Sequence, residues 1–249
     1  MLSRTRKRNI EQVHSHVDKH MEPYDGSHDI SHINRVCSYI DIFTQYDSIP
    51  FRISCLIVGT LHDVIDSKYS YASNIDTIET LLHNLNTSDI SNVILALKNI
   101  SYSKLSRDGP PQIALPALKI WRIVSDCDML DALGAIGCIR TLMYQGYTEK
   151  SAQEGMDYIG TRLIDRFEYI ENIEAKKIAS NKLQIMQEWI TGYKGQNVFW
   201  VELSEHCIFF GLQKMKFLDA LYVINAKYFG SHLVKCIENE LDVLTLHPN

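Results

Sequence analysis

The sequence lacks the features that mark secreted or membrane-spanning chains. Its six cysteines lie far apart and form no CxxC pair, which fits neither a zinc knuckle nor a disulfide framework. No apolar signal segment stands at the N-terminus. The most hydrophobic stretches, residues 55–61 and 207–212, are far shorter than the roughly 20 residues of a membrane span. We therefore expect a soluble protein with reduced cysteines, located in the cytoplasm or elsewhere inside the cell and without a membrane partner.

An excess of positive charge is also absent. The formal net charge is −5, whereas proteins that bind the nucleic-acid backbone usually present a basic face. This disfavours extended nucleic acid as a ligand. The short basic cluster at residues 4–8 precedes a helical pattern and is interpreted as a solvated first turn. The 249 residues, 45% of them hydrophobic, suffice for one globular domain with an appendage.

Strand-like alternation is rare, and helical periodicity fills most of the chain. Ile33, Val36, Cys37 and Ile40 form an apolar stripe at helical spacing, with Ser27 as the predicted N-cap. The order Ser151-Ala152-Gln153-Glu154 predicts a capping box. The sequence therefore predicts an all-α fold.

Glycine and proline place the breaks between these helices. The apolar face after the capping box continues over residues 156–170, and a second long helix is predicted from about 174 to 190. Loops are predicted at 104–116 and 191–195, and two further helices over roughly 214–228 and 231–244. We interpret the last helices as a C-terminal appendage.

Two groups of polar residues stand at helical or adjacent spacing. His28, His32 and Arg35 project from one helix face, although chance alone can produce such a pair of histidines. His62 and Asp63 follow an apolar run, where burying them is costly unless a metal or an ion-pair network compensates. A His-Asp doublet offers one nitrogen and one oxygen donor to a divalent ion, but by itself it is common by chance.

A third group crowds three carboxylates, Asp126, Asp128 and Asp131, into a mostly apolar segment. Their mutual repulsion is unfavourable without cations nearby. On a helix Asp128 and Asp131 share a face, whereas Asp126 projects almost oppositely. The spacing therefore favours Asp128 and Asp131 over Asp126 at a metal site.

Together these motifs resemble the HD-domain metal-dependent phosphohydrolases, in particular a bacterial-type branch with HDxxHxxRV, LHD and DxDxLDAxGAIG motifs. The resemblance covers Val13 to Ile190 in order and spacing, including residues 175–179, which look like the closing helix of that branch. It implies an HD-domain helical bundle over residues 1–192, with a C-terminal helical extension over 193–249 packed on it or associated with it.

The resemblance implies one divalent ion bound by four residues. The implied ligands are His32, His62, Asp63 and Asp128. Manganese is favoured, with magnesium, zinc, cobalt, nickel or iron as alternatives.

The resemblance also implies roles for residues around the ion. Candidate catalytic residues are Asp131, which would contact substrate or water, and His28 and Asp29, which would orient the attacking water or a neighbouring histidine. Candidate substrate contacts are Arg35, Lys68, Arg140 and Asp66, with an ordinary salt bridge or surface position as the alternative for Arg140. Where the branch usually has arginine and alanine, this chain has Met129 and Cys127, which puts one substrate contact in doubt.

The implied activity is hydrolysis of small phosphorylated substrates. Nucleotides are the leading class, cleaved by a nucleoside triphosphate pyrophosphohydrolase or a nucleotidase, and a homo-oligomer is a further expectation. A non-catalytic or regulatory nucleotide-binding module is the alternative, suggested by Met129. A dinuclear-iron oxygenase would need two more histidines between the doublet and the distant aspartate, where only His83 stands.

Overall fold

The structure is a computed structural model that describes residues 4–23, 26–65, 74–84 and 89–245. These residues form α-helices and one π-helical turn, and no β-strand occurs among them. The predicted all-α fold class is confirmed. In the part of the chain that is described, no helix combines the length and the apolar character that crossing a membrane requires.

The helices follow one another closely along the chain. They are α1 Arg4–Met21, α2 Ile30–Phe43, α3 Ile49–Leu61, α4 Ile75–Asn84, α5 Ile90–Leu97, α6 Tyr102–Asp108, α7 Leu115–Asp131, α8 Gly134–Tyr147, α9 Ala152–Tyr158, α10 Arg166–Tyr169, α11 Ile173–Lys194, α12 Val198–Leu212, α13 Phe217–Lys227 and α14 His232–Thr245, with the π-helical turn Ile159–Leu163 between α9 and α10.

The chain divides into two compact units. Unit 1 takes Met1–Pro23 and Ile33–Asp128, and unit 2 takes Tyr24–His32 and Met129–Asn249. Helices α2 and α7 each run from one unit into the other along the chain. Residues on both sides of the predicted boundary after residue 192 belong to unit 2, and the division into a domain and an extension stays a prediction.

Unit 1 is built around α3, which packs against α1 and α5. Every residue of α3 from Ile53 to Leu61 is buried, so this part of the helix is enclosed on all sides and is not an amphipathic surface helix. Pro50 stands in its first turn, where a missing amide donor costs nothing. A Cβ at Gly59 would collide with the Ile40 side chain, and glycine therefore lets α3 approach α2 closely.

Unit 2 centres on α8, which packs against α11, α12 and α14. A Cβ at Gly146 would overlap the Ile208 carbonyl, and one at Gly211 would overlap the Met143 carbonyl. Glycine at these two positions allows the backbones of α8 and α12 to meet. Helix α12 was not among the predicted helices.

Three predicted boundaries near loops were wrong in part. Residues 104–108 belong to α6, and α7 begins at Leu115, so the predicted loop at 104–116 is only half as long. Helix α11 continues through the predicted break to Lys194. Ser27 is not the cap of α2, since that helix begins at Ile30.

The capping box at the start of α9 is confirmed, because both reciprocal bonds between Ser151 and Glu154 are present. The single helix predicted beyond it is interrupted. At the π-helical turn the Ile164 amide donates to the Ile159 carbonyl at 3.2 Å, an i to i+5 bond that inserts one extra residue. This turn shifts the register of the apolar face before α10 begins.

All six cysteines are free thiols. Cys55, Cys127, Cys138 and Cys207 are buried, and burial raises the pKa of each thiol above its ordinary value. A thiol with a raised pKa stays protonated and unreactive. These four side chains serve as small core residues.

Candidate metal centre

His62 and Asp63 lie directly after the buried helix α3. The His62 Nδ1–H donates to the Gly59 carbonyl at 2.7 Å, a bond that orients the ring and leaves Nε2 as the ligand atom. His62 is 5% exposed and Asp63 is 9% exposed. The doublet predicted from the sequence is therefore buried, and the Gly59 carbonyl holds the His62 ring in one orientation.

Two carboxylates face the outer nitrogen of His62. Its Nε2 lies 3.5 Å from Asp63 Oδ1 and 3.7 Å from Asp128 Oδ1. Helix α7 supplies Asp128 within its last turn. These separations exceed a good hydrogen bond, and they leave Nε2 and two carboxylate oxygens converging on the same region.

The charge around His62 favours a cation. Burial alone lowers the pKa of the His62 imidazole, but Asp63 and Asp128 outweigh that effect and raise the pKa to about 9. At neutral pH the imidazole therefore carries a proton in the metal-free protein. A divalent ion would supply the same compensation to the carboxylates and would displace that proton.

His32 stands in the first turn of α2 and is oriented by a second buried group. Its Nδ1 lies 2.7 Å from Asp131 Oδ2, and Asp131 is 1% exposed. An imidazole that donates from Nδ1 to a carboxylate keeps Nε2 as its ligand atom. Asp131 thus holds His32 as the Gly59 carbonyl holds His62.

Arg140 of α8 completes this arrangement. Its Nη1 donates to Asp131 Oδ2 at 2.8 Å and its Nε donates to the Ser27 carbonyl at 2.7 Å. The guanidinium is mostly buried and neutralises the charge of Asp131. The Arg140 guanidinium is therefore hydrogen-bonded to Asp131 and to the backbone that precedes α2.

The two polar residues before α2 differ in their surroundings. His28 is half-buried, with Nδ1 at 2.7 Å from Ser27 Oγ and its ring edge-on to Tyr144. Asp29 is the actual cap of α2: its Oδ1 accepts from the Ser31 amide at 3.0 Å. Serine and aspartate are almost equally good caps, so residue type alone does not distinguish Ser27 from Asp29.

His62 and Asp63, both in unit 1, offer an imidazole nitrogen and a carboxylate oxygen to a metal ion, and His32 in unit 2 offers a second imidazole nitrogen. The fourth predicted ligand, Asp128, faces His62. Two imidazole nitrogens with carboxylate oxygens suit borderline and hard divalent ions, and the second nitrogen of each histidine already has a partner. The donor set therefore fits one divalent ion.

The remaining predicted site residues fall into two groups. Arg35 is buried at 5% exposure and lies one turn after His32 on α2, while Asp66 and Lys68 lie outside the described residues. The Gly59 carbonyl was missed by sequence reasoning, because a backbone acceptor leaves no signal in the choice of side chain.

No protein-family model matches this chain, and no curated protein matches it. Several solved structures, in contrast, are similar to this chain. Bacillus subtilis YpgQ in complex with ADP superposes with a TM-score of 0.62 at 19% identity, over 77% of this chain and 96% of that one.

Two further structures are similar to the same extent. An HD-superfamily hydrolase from Bacillus thuringiensis gives a TM-score of 0.59 at 22% identity, over 77% of this chain and 97% of that one. A protein from Listeria innocua gives 0.58 at 22% identity, over 76% of this chain and 95% of that one. The chain therefore has the HD-domain fold, which confirms the fold inferred from the motifs.

Proposed function

We propose that this chain is a metal-dependent phosphohydrolase that holds one divalent ion through His32, His62, Asp63 and Asp128. The observation that carries the proposal is the convergence of Asp63 Oδ1, at 3.5 Å, and Asp128 Oδ1, at 3.7 Å, on His62 Nε2. All four match the ligand positions of the motifs. Since fold by itself does not define function, the proposal rests on these side chains.

When bound, a divalent ion in such a site acidifies a water molecule and polarises a phosphoryl oxygen. The side chains around it have separate tasks. Asp131 holds His32 by its Nδ1, and the Gly59 carbonyl holds His62. Asp63 and Asp128 supply negative charge that retains the cation. We propose that Asp131 is a positioning residue acting through His32.

Phosphate binding needs cationic side chains near the ion. Arg35 is our first candidate, because it is buried and follows His32 by one helical turn. Lys68 and Asp66 stay candidates from the motif alone. Arg140 is bonded to Asp131 and the Ser27 carbonyl, and we assign it to holding Asp131 instead of a phosphate.

We propose nucleotides as the substrate class. The similar structure of YpgQ holds ADP, which supports this choice for the present chain. The net charge of −5 favours small phosphorylated molecules over a nucleic-acid backbone. Manganese is the proposed ion, and the leaving group is either phosphate or pyrophosphate.

The deciding experiment combines metal replacement with a substrate panel. Protein stripped with a chelator receives manganese, magnesium, zinc, cobalt or nickel separately and is then incubated with nucleoside mono-, di- and triphosphates. We expect metal-dependent release of phosphate or pyrophosphate, with manganese best. Metal binding without turnover of any nucleotide would instead support a regulatory nucleotide-binding module.

Two substitutions and one control test the site. His62→Ala and Asp63→Ala should abolish metal binding and hydrolysis together while the protein stays helical, since other residues form the core. His83→Ala is the matched histidine control, because its side chain is 65% exposed on α4. Full activity of His62→Ala in saturating metal would contradict the assignment.

A further inference from the structure

The N-terminus of α13, in the predicted C-terminal extension, is capped by a residue far away in the sequence. The N-cap residue Lys216 supplies no side-chain cap to this helix. Instead, the Phe217 amide donates to Asp29 Oδ2 at 3.0 Å, across 188 residues of sequence. Asp29 therefore does for α13 what a local serine or aspartate does for most helices.

The other oxygen of the same carboxylate caps α2. Asp29 Oδ1 accepts from the Ser31 amide at 3.0 Å, and the Asp29 carbonyl accepts from the His32 amide at 3.0 Å. Asp29 is 6% exposed, and its carboxylate accepts from amides at two helix N-termini and from the Ser31 hydroxyl. A single buried carboxylate thus joins α2 to α13.

The backbone preceding Asp29 also meets the backbone before α13. A Cβ at Gly26 would overlap the Met215 carbonyl, and Phe217 is fully buried. We call residues 26–29 the entry loop of α2. The entry loop therefore packs directly on residues 215–217, without intervening side chains at Gly26.

The entry loop leads directly to a proposed metal ligand. Arg140 donates both to the Ser27 carbonyl of the loop and to Asp131, and Asp131 holds His32 Nδ1. The start of α13 is thus hydrogen-bonded to Asp29 of the entry loop, and Ser27 of the same loop is connected to His32 by hydrogen bonds through Arg140 and Asp131. Imidazole ligands need their outer partners to keep the ring in place.

We infer that Asp29 is a positioning residue, and that through it the C-terminal extension controls the placement of the metal ligand His32. The inference rests on the proposed function, because it requires His32 to bind an ion. If metal binding orders His32, it also stabilises the Asp29 bond to Phe217, because coupling between two sites is reciprocal.

Hydrogen exchange on the wild-type protein measures this coupling directly. Manganese should slow exchange of the Phe217 amide and of the α2 amides at Ser31 and His32. A structural role alone would leave Phe217 exchange independent of the ion. Unchanged Phe217 exchange in protein that demonstrably binds manganese would overturn the inference while leaving the proposed function intact.

Asp29→Asn tests the same link by substitution. Asparagine can accept from one helix but presents an amide donor to the other, so one cap is lost. We expect manganese affinity to fall about tenfold or more, with ion-dependent protection at Phe217 abolished. Wild-type affinity in Asp29→Asn would overturn the inference. If the variant does not fold, hydrogen exchange of the Phe217 amide in the wild-type protein, with and without manganese, tests the inference.

A matched control removes a cap elsewhere in the extension. Asn197 caps α12 by accepting from the Phe199 amide, and Asn197→Ala should lower stability without changing manganese affinity. Equal loss of affinity in Asn197→Ala and Asp29→Asn would overturn the specific role of Asp29. Wild-type protein that binds no manganese at all would overturn both this inference and the proposed metal site.

Discussion

Three carboxylates of α7 lie within six residues, yet their side chains are placed differently. Asp128 is partly exposed and faces His62, whereas Asp131 is fully buried against His32 and Arg140. Asp126 is 4% exposed and lies well inside α7, so helical geometry applies to it. The sequence spacing places Asp126 on a different helix face from Asp128 and Asp131. The structure then shows that Asp128 and Asp131 have different partners.

The same substitution at each position should therefore have three outcomes. Asp128→Asn should weaken manganese binding most, since it removes a ligand charge. Asp131→Asn should lower affinity and turnover by roughly 10- to 100-fold, because it loosens the orientation of His32. Asp126→Asn should change either quantity least.

Titration of manganese into the three purified variants, followed by steady-state kinetics, measures these effects. Wild-type helicity by circular dichroism is the control for folding. Loss of the ion in Asp126→Asn with retention in Asp128→Asn would mean that the third motif is registered two residues away from its true position.

Metal binding should depend on pH through His62. Its pKa is raised from 6.5 to about 9 in the metal-free fold, so the proton contributes stability below pH 6.5 and this contribution is lost as the pH rises through the folded value. The ion must displace the same proton. Manganese affinity should rise about tenfold per pH unit below the folded pKa, measured by titration under anaerobic conditions. An affinity independent of pH would contradict the assignment of His62.

Met129 replaces the arginine that the HD branch usually carries. Its side chain is 2% exposed and packs in the core immediately after Asp128. An arginine in this environment would need a partner for its charge. The structure therefore explains the methionine as a core residue in this chain, and an effect of Met129→Arg on nucleotide preference stays a prediction.

At the scale of helices, Glu240 of α14 caps α8. Its carboxylate accepts from the Ala135 amide at 2.7 Å and pairs with Lys182 of α11 at 2.7 Å. Both side chains are buried. Gly134 adopts a φ of +81° beside this carboxylate, where a Cβ would collide with Glu240. This buried pair joins three helices of unit 2.

Breaking the pair should be costly because it leaves a buried charge uncompensated. Glu240→Gln keeps an acceptor for the α8 amides but removes the negative charge that pairs with the Lys182 ammonium. We therefore expect the free energy of unfolding to fall by about 3 kcal/mol. Urea denaturation measures it. Combining Lys182→Met with Glu240→Gln should be less destabilising than Glu240→Gln alone.

Helix α11 carries its own control. Glu174 and Lys177 form an ion pair in which both side chains are 67% exposed, and Glu174→Gln should cost no more than about 1 kcal/mol. If both glutamine substitutions had equal effects, burial would not be the reason for the strength of the Glu240 pair.

At the scale of the whole molecule, the ligand set predicts one divalent ion per chain. Elemental analysis of metal-saturated protein should give a single equivalent. Free manganese at a hundred times its dissociation constant should stabilise the fold by about 2.7 kcal/mol, or a rise in melting temperature of roughly 5–10 °C for a chain of this size. His62→Ala should show no rise.

The same measurements separate the proposed function from its alternatives. Two iron atoms per chain with oxygen-dependent turnover would support the hypothesis of a dinuclear-iron oxygenase. One bound ion with nucleotide binding but no hydrolysis would point to a regulatory module. Sedimentation or light scattering tests the predicted homo-oligomer, and the cellular compartment stays a prediction from composition.

The sequence by itself determined the helical class and the identity of the candidate ligands. Helical periodicity is a local property, and HD motifs list residue types at local spacings. Helix α12 was not predicted from the sequence because apolar residues lie on both of its faces: Cys207 is buried and Phe209 is 54% exposed. No alternation of polar and apolar faces marks such a helix.

Only the tertiary structure decided the partners of those residues. The motifs proposed contacts with water or substrate for Asp29, Asp131 and Arg140, and that role stays a prediction. The structure adds bonds from these side chains to Phe217, His32 and Ser27. All three bonds span about a hundred residues or more, with separations of 188, 99 and 113 positions. Such pairings are set by how distant helices pack together. Local spacing specifies the face on which a side chain lies, and the packing of helices specifies what it meets there.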